Sequence, residues 1–95
     1  MTLQRPPQWA VPPQVKRRER RLLRQRYREW YERLTRSYGE YCANCDERQN
    51  LVLDHVIPIA RGGLSRLDNL QVLCSTCNRI KGKLLIDCRP FIHPE

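Results

Sequence analysis

Hydrophobic positions follow two rhythms along this chain. Between Val15 and Tyr38, the residues Leu23, Tyr27, Trp30, Leu34 and Tyr38 recur at steps of four, three, four and four. That is the period of one helix face. The spacing predicts a helix over 15–38, with Gly39 as its C-cap. Arg17, Arg21, Arg24 and Arg28 form a second row, about a third of a turn around from the apolar stripe. Glu29 with Arg33 and Glu32 with Arg36 are i,i+4 pairs in the favourable order. The stripe is expected to dock on the rest of the chain, since an apolar face of this length is rarely left in water. The arginine row fits a solvated face and a phosphate-facing one equally well.

After Gly39 the rhythm shortens. Leu51-Val52-Leu53 is a β-type run leading into Asp54-His55, and Leu70 to Leu73 is a second short apolar run. Pro58 and Gly62-Gly63 mark a loop between them that continues to Asn69. Ser75 is the expected N-cap of a helix of about two or three turns through Cys77, Asn78, Ile80 and Leu84, weakened by Gly82. Prolines crowd the first residues, which read as an extended arm over 1–14. The remainder divides into the basic helix, a compact domain over 39–88 and a tail over 89–95 that holds His93.

With 95 residues there is room for one core. The turn-rich portion is about half of that, and cores so small usually need a metal or disulfides. The net charge of +8 favours a polyanionic partner. The first residues carry no apolar signal region, and no stretch has membrane-spanning length. A cytoplasmic, reducing location is therefore expected, with no membrane partner. Five cysteines in such a chain point to metal ligation rather than a disulfide framework.

Cys42-x2-Cys45 and Cys74-x2-Cys77 form two knuckles separated by 28 residues. Two such pairs complete the tetrahedral four-thiolate shell that zinc prefers, and this closed shell leaves no place for water. A structural Zn2+ is expected there. Cys88 remains as a free thiol without an assigned role.

Between and after the knuckles the chain reads LVLDHVIPIARGG and NLQVLCSTCNRIK. With both CxxC pairs, Asp54-His55, Pro58, Gly62-Gly63, Asn69-Leu70 and Cys77-Asn78-x-x-Lys81 in this order, the segment resembles the HNH endonucleases. The resemblance implies an α+β fold: a small ββα-metal core, here stapled by the four-cysteine zinc site and preceded by a long basic N-terminal helix. It maps the first His of the family motif onto His55 and the central Asn onto Asn69. The third position, His in many members, is Asn78. Asn69 is then expected to tie the loop together and orient the His55 imidazole, so both residues join the catalytic set.

The chemistry follows from residue types as well. Phosphodiester hydrolysis needs an activated water and a counter-charge for the transition state. His55 has the intrinsic pKa of a general base at neutral pH. Asp54 and Asn78 offer hard oxygen ligands suited to Mg2+ or Mn2+. Arg61, Arg79, Lys81 and Lys83, together with the Arg17, Arg21, Arg24 and Arg28 row, are candidate contacts to DNA, with the double-stranded form expected. Two rivals share the charge and the zinc: a non-catalytic zinc-dependent nucleic-acid-binding module, and a degenerate family member kept as a scaffold. The first leaves Asp54-His55 and Asn78 unexplained, and the intact His and Asn positions argue against the second.

Overall fold

A computed structural model describes residues 10–90. Most of the proline-rich arm, and His93, lie outside the described residues. The chain forms a long helix α1 (Pro13–Tyr38), a strand β1 (Leu51–His55), a strand β2 (Leu70–Cys74) and a short helix α2 (Ser75–Lys81). Two 3₁₀ turns, Ile59–Arg61 and Leu67–Asn69, lie in the loop between the strands. This is a small α+β fold.

α1 begins two residues before the predicted start. Pro13 opens it without loss, because the first turn has no use for its missing N–H and its φ is already helical. At the far end Gly39 adopts φ 100° and donates its N–H to the Thr35 carbonyl at 2.8 Å. Glu29 pairs with Arg26 at 2.5 Å rather than with Arg33, and Arg26 also lies over the Trp30 ring at 5.0 Å.

β1 and β2 pair antiparallel, with Leu53 opposite Val72 and Asp54 opposite Gln71. Side chains alternate across such a sheet, so the two faces carry different residues. Leu51, Leu53, Leu70 and Val72 meet the α1 stripe, where Trp30 and Leu34 are buried and Leu23, Tyr27 and Tyr38 pack around them. The Tyr27 hydroxyl also accepts the Leu53 N–H at 2.9 Å, which covers the free edge of β1. The expected docking of the stripe is thus the main core of the molecule. The opposite face carries Asp54, Gln71 and Leu73, all buried, and it meets α2 and the cysteine cluster.

Two local expectations are corrected. Cys74, rather than Ser75, caps α2, its sulfur accepting the Cys77 N–H at 3.4 Å. Gly82 at φ 54° then stops the helix at Lys81, and Leu84 lies beyond it, exposed. The segment after α2 is also anchored further than composition suggests. Gln71 donates to the Ile86 carbonyl at 2.9 Å and accepts the Cys88 N–H at 2.8 Å. Arg89 donates to the Asp68 carbonyl at 2.7 Å.

Candidate functional site

The four knuckle cysteines come from three places: the turn after α1, the end of β2, and the first turn of α2. Their sulfurs all lie within 4.8 Å of one another. The Cys45 and Cys74 sulfurs are 3.8 Å apart. A tetrahedron with zinc–sulfur arms of roughly 2.3 Å has edges of roughly 3.8 Å, so the cage fits a metal ion such as zinc. Asn44 donates to the Cys77 sulfur at 3.4 Å, the kind of outer contact that orients a thiolate.

The thiols influence one another strongly. Burial opposes ionisation of Cys42, but backbone N–H groups of Cys74, Cys45 and Asn44 outweigh it and bring the thiol down to about 7. At Cys45 the Glu47 N–H favours the thiolate, yet sharing with Cys42, burial, and the Cys77 and Cys74 sulfurs push it up to about 12. Cys42 and Cys45 are thus pushed in opposite directions, one thiolate favoured at the expense of the other. A dication bound in the cage would favour both.

The second centre spans both faces of the sheet at the C-terminal end of β1. Asp54 and His55 are adjacent on a strand, so they point to opposite sides. The Asp54 carboxylate is buried and accepts three donors: Gln71 Nε2 at 2.8 Å, Asn78 Nδ2 at 2.9 Å and Lys81 Nζ at 3.2 Å. Lys81 also donates to the His55 carbonyl at 3.0 Å. The structure therefore brings Asp54 and Asn78 together, a carboxylate and a side-chain amide at the junction of β1 and α2. Asn78 presents its amide N–H to the carboxylate, so a hard cation held by oxygens of both residues would need that amide turned over. The same junction moves Lys81 out of the phosphate-facing group, since its ammonium is buried against Asp54 and its charge is balanced there.

His55 turns towards α1, where its Nε2 lies 2.9 Å from the Ser65 hydroxyl. Burial holds its pKa below the ordinary histidine value, Asp54 and Glu19 partly opposing this and Lys81 adding to it. Burial thus favours the neutral form of the imidazole. Ser65 is itself held by Glu19 of α1: its N–H donates to Glu19 Oε1 at 2.6 Å and its hydroxyl to the Glu19 carbonyl at 2.6 Å.

Asn69 closes the loop that carries Ser65. Its Oδ1 accepts the Ile57 N–H at 2.9 Å, while Nδ2 donates to the carbonyls of Ile57 at 3.0 Å and Leu64 at 2.9 Å. It binds loop backbone only, and the side chain that touches the imidazole is Ser65. Gly63 lets the loop pass close to itself, because a Cβ there would collide with the Ile57 carbonyl oxygen.

Arg17, Arg21, Arg24 and Arg28 are exposed along α1 and form no hydrogen bond or ion pair among the described residues. Arg61, Arg79 and Lys83 are exposed as well. Sequence reasoning passed over Ser65, Glu19 and Gln71. Glu19 does carry a signal: it continues the apolar stripe four residues before Leu23, a carboxylate where the helix faces inward. Gln71 likewise interrupts a run of apolar residues.

Residues 40–84 match the family model of the HNH endonucleases, a family whose domains generally act on nucleic acids. Among curated proteins, none matches the chain. Among the described residues no helix is long and apolar enough to cross a membrane.

Proposed function

From the match of residues 40–84 to the HNH endonuclease family, we propose that the chain is a metal-dependent DNA endonuclease with His55 as its general base. The observation that carries the reading is the pairing at the end of β1. A half-buried imidazole on one face adjoins a carboxylate and an amide that are hydrogen-bonded at 2.9 Å on the other. A strand end is where adjacent residues with opposite orientations can serve one substrate.

In this mechanism His55 takes a proton from the attacking water as the new phosphorus–oxygen bond forms. Asp54 and Asn78 would hold Mg2+ or Mn2+, which would supply positive charge for the phosphorane-like transition state and the departing alkoxide. Lys81 backs this arrangement from below, with one donor on Asp54 and one on the His55 carbonyl. Asn69 keeps the loop folded over the site, and the cysteine cage fixes β2 and α2, hence Asn78, relative to β1. Arg61, Arg79 and Lys83, all exposed, would meet phosphates near the scissile bond, and the α1 arginines would meet them further along a duplex. The reduced thiols such a cage needs fit a cytoplasmic setting.

One observation favours the rival reading, a zinc-dependent nucleic-acid-binding module without catalysis. The Asp54 carboxylate is already balanced by Lys81, so a catalytic cation must displace a resident donor. Relaxation of supercoiled plasmid decides between them. The nuclease reading expects nicked or linear product with Mg2+ or Mn2+, and none when a chelator too weak to empty the cysteine site removes those ions. Tight DNA binding with no product under any divalent cation would establish the binding module.

A further inference from the structure

The contacts between α1 and the loop after β1 go beyond docking. We propose that Ser65, clamped by Glu19 of α1, is a positioning residue that fixes the tautomer and ring plane of His55. The long N-terminal helix is then a working part of the catalytic centre. The inference rests on the reading of His55 as general base.

Counting protons gives the assignment. A serine hydroxyl has one hydrogen to give. The Ser65 oxygen lies 2.6 Å from the Glu19 carbonyl oxygen, and a carbonyl only accepts. The hydroxyl proton is therefore committed to Glu19. The same oxygen lies 2.9 Å from His55 Nε2, and with its own proton engaged it can only accept there. Nε2 must carry the imidazole hydrogen. Nδ1 is left bare, with the lone pair that a general base requires.

Ser65 cannot easily turn away from this task. It is almost completely buried, at 1% exposure, and its backbone N–H is tied to Glu19 Oε1 at 2.6 Å. Glu19 is held in turn, being 5% exposed and carried on a helix whose later turns sink Trp30 and Leu34 into the core. Two hydrogen bonds from one residue of α1 thus set the position of the group that sets the imidazole. Burying a carboxylate is costly unless its oxygens are satisfied; here Arg18 Nε lies 3.4 Å from Glu19 Oε2, and Oε1 satisfies the buried N–H of Ser65.

The test is nitrogen NMR of the full, metal-loaded chain labelled at histidine, which gives only two residues to assign, His55 and His93. Where the imidazole is neutral, the parent should show a protonated Nε2 and a bare Nδ1 with widely separated shifts. In Ser65→Ala the two shifts should move together as both tautomers become populated, while Ser65→Thr keeps them apart. Glu19→Ala should move them in the same direction as Ser65→Ala, and Glu19→Gln, which keeps the acceptor for the Ser65 N–H, should not. Cleavage by Ser65→Ala should fall in kcat on the order of 10- to 100-fold with KM unchanged. Unaltered His55 shifts in both Ser65→Ala and Glu19→Ala would overturn the assignment. If the parent shows the expected tautomer and its loss in these variants yet cuts no DNA, the assignment stands and the nuclease reading falls.

Discussion

A buried carboxylate with three donors is a costly thing to leave half paired, and Asp54 sets the energetics of its neighbourhood. Its partner Lys81 is 5% exposed and 3.2 Å away. Removing one member of a buried ion pair typically costs about 3–5 kcal/mol, because the other is left uncompensated. Lys81→Met should therefore lower unfolding free energy by about that amount in urea titrations of the metal-loaded protein. A loss under about 1 kcal/mol would mean that the pair is effectively solvated. Asn78→Ala should act differently, shifting the Mg2+ dependence of cleavage to higher concentration with partial recovery at saturation. An unchanged metal response would remove Asn78 from the cation site. Residues of this kind are unequally legible in the sequence. The cysteines announce themselves, because a two-residue gap makes both sulfurs reach one point wherever the turn sits. His55 and Asn69 stand out through their order along the chain. Lys81 reads as a surface cation, since nothing in its neighbours shows that α2 turns it inward. Ser65 and Glu19 are 46 positions apart, and only the folded approach of α1 to the loop gives either one a role.

At the scale of elements, α1 packs by its inner face, and its outer face carries the exposed arginine row. Its inner face is legible, because a stripe at helical period has no other use than packing, and Leu23, Tyr27, Trp30, Leu34 and Tyr38 all meet the sheet. Its start is less so: the prolines suggest an arm running to residue 14, whereas Pro13 is already helical. Distance along the chain also misleads, for α1 looks remote from His55 and instead reaches it through Ser65. On the outer face, replacing Arg17, Arg21, Arg24 and Arg28 by glutamine should weaken binding to unrelated duplexes about equally. The slope of log affinity against log salt should flatten by about 0.9 for each phosphate that is no longer neutralised. An unchanged slope would make the row a solvated face. The loop between β1 and β2 depends on a narrower point. Gly63→Ala would drive a methyl group into the Ile57 carbonyl, so the Asn69-bonded loop must open, and cleavage and thermal stability should fall together.

At the scale of the whole molecule, two clusters among the described residues share the task of holding the fold. One lies between α1 and the sheet, around Trp30, Leu34, Leu53, Leu70 and Val72. The other, around Cys42, Leu73 and Cys74, is as much a metal cage as a hydrophobic cluster. Stripping the metal with a strong chelator should consequently unfold the compact domain in one step, seen as loss of far-ultraviolet signal and regained on adding Zn2+. A chelated chain that keeps its cooperative melting would show that the α1 core suffices. In the proposed function, the His55 imidazole is what separates a nuclease from a nucleic-acid-binding module on this scaffold. The most direct measurement sets the parent beside His55→Ala on supercoiled plasmid with Mg2+, with DNA affinity and zinc content recorded for both. Full zinc occupancy and near-equal affinity are expected in the two proteins, with cleavage by the parent and essentially none by the variant. Equal cleavage by His55→Ala would contradict the assignment of His55 as the base.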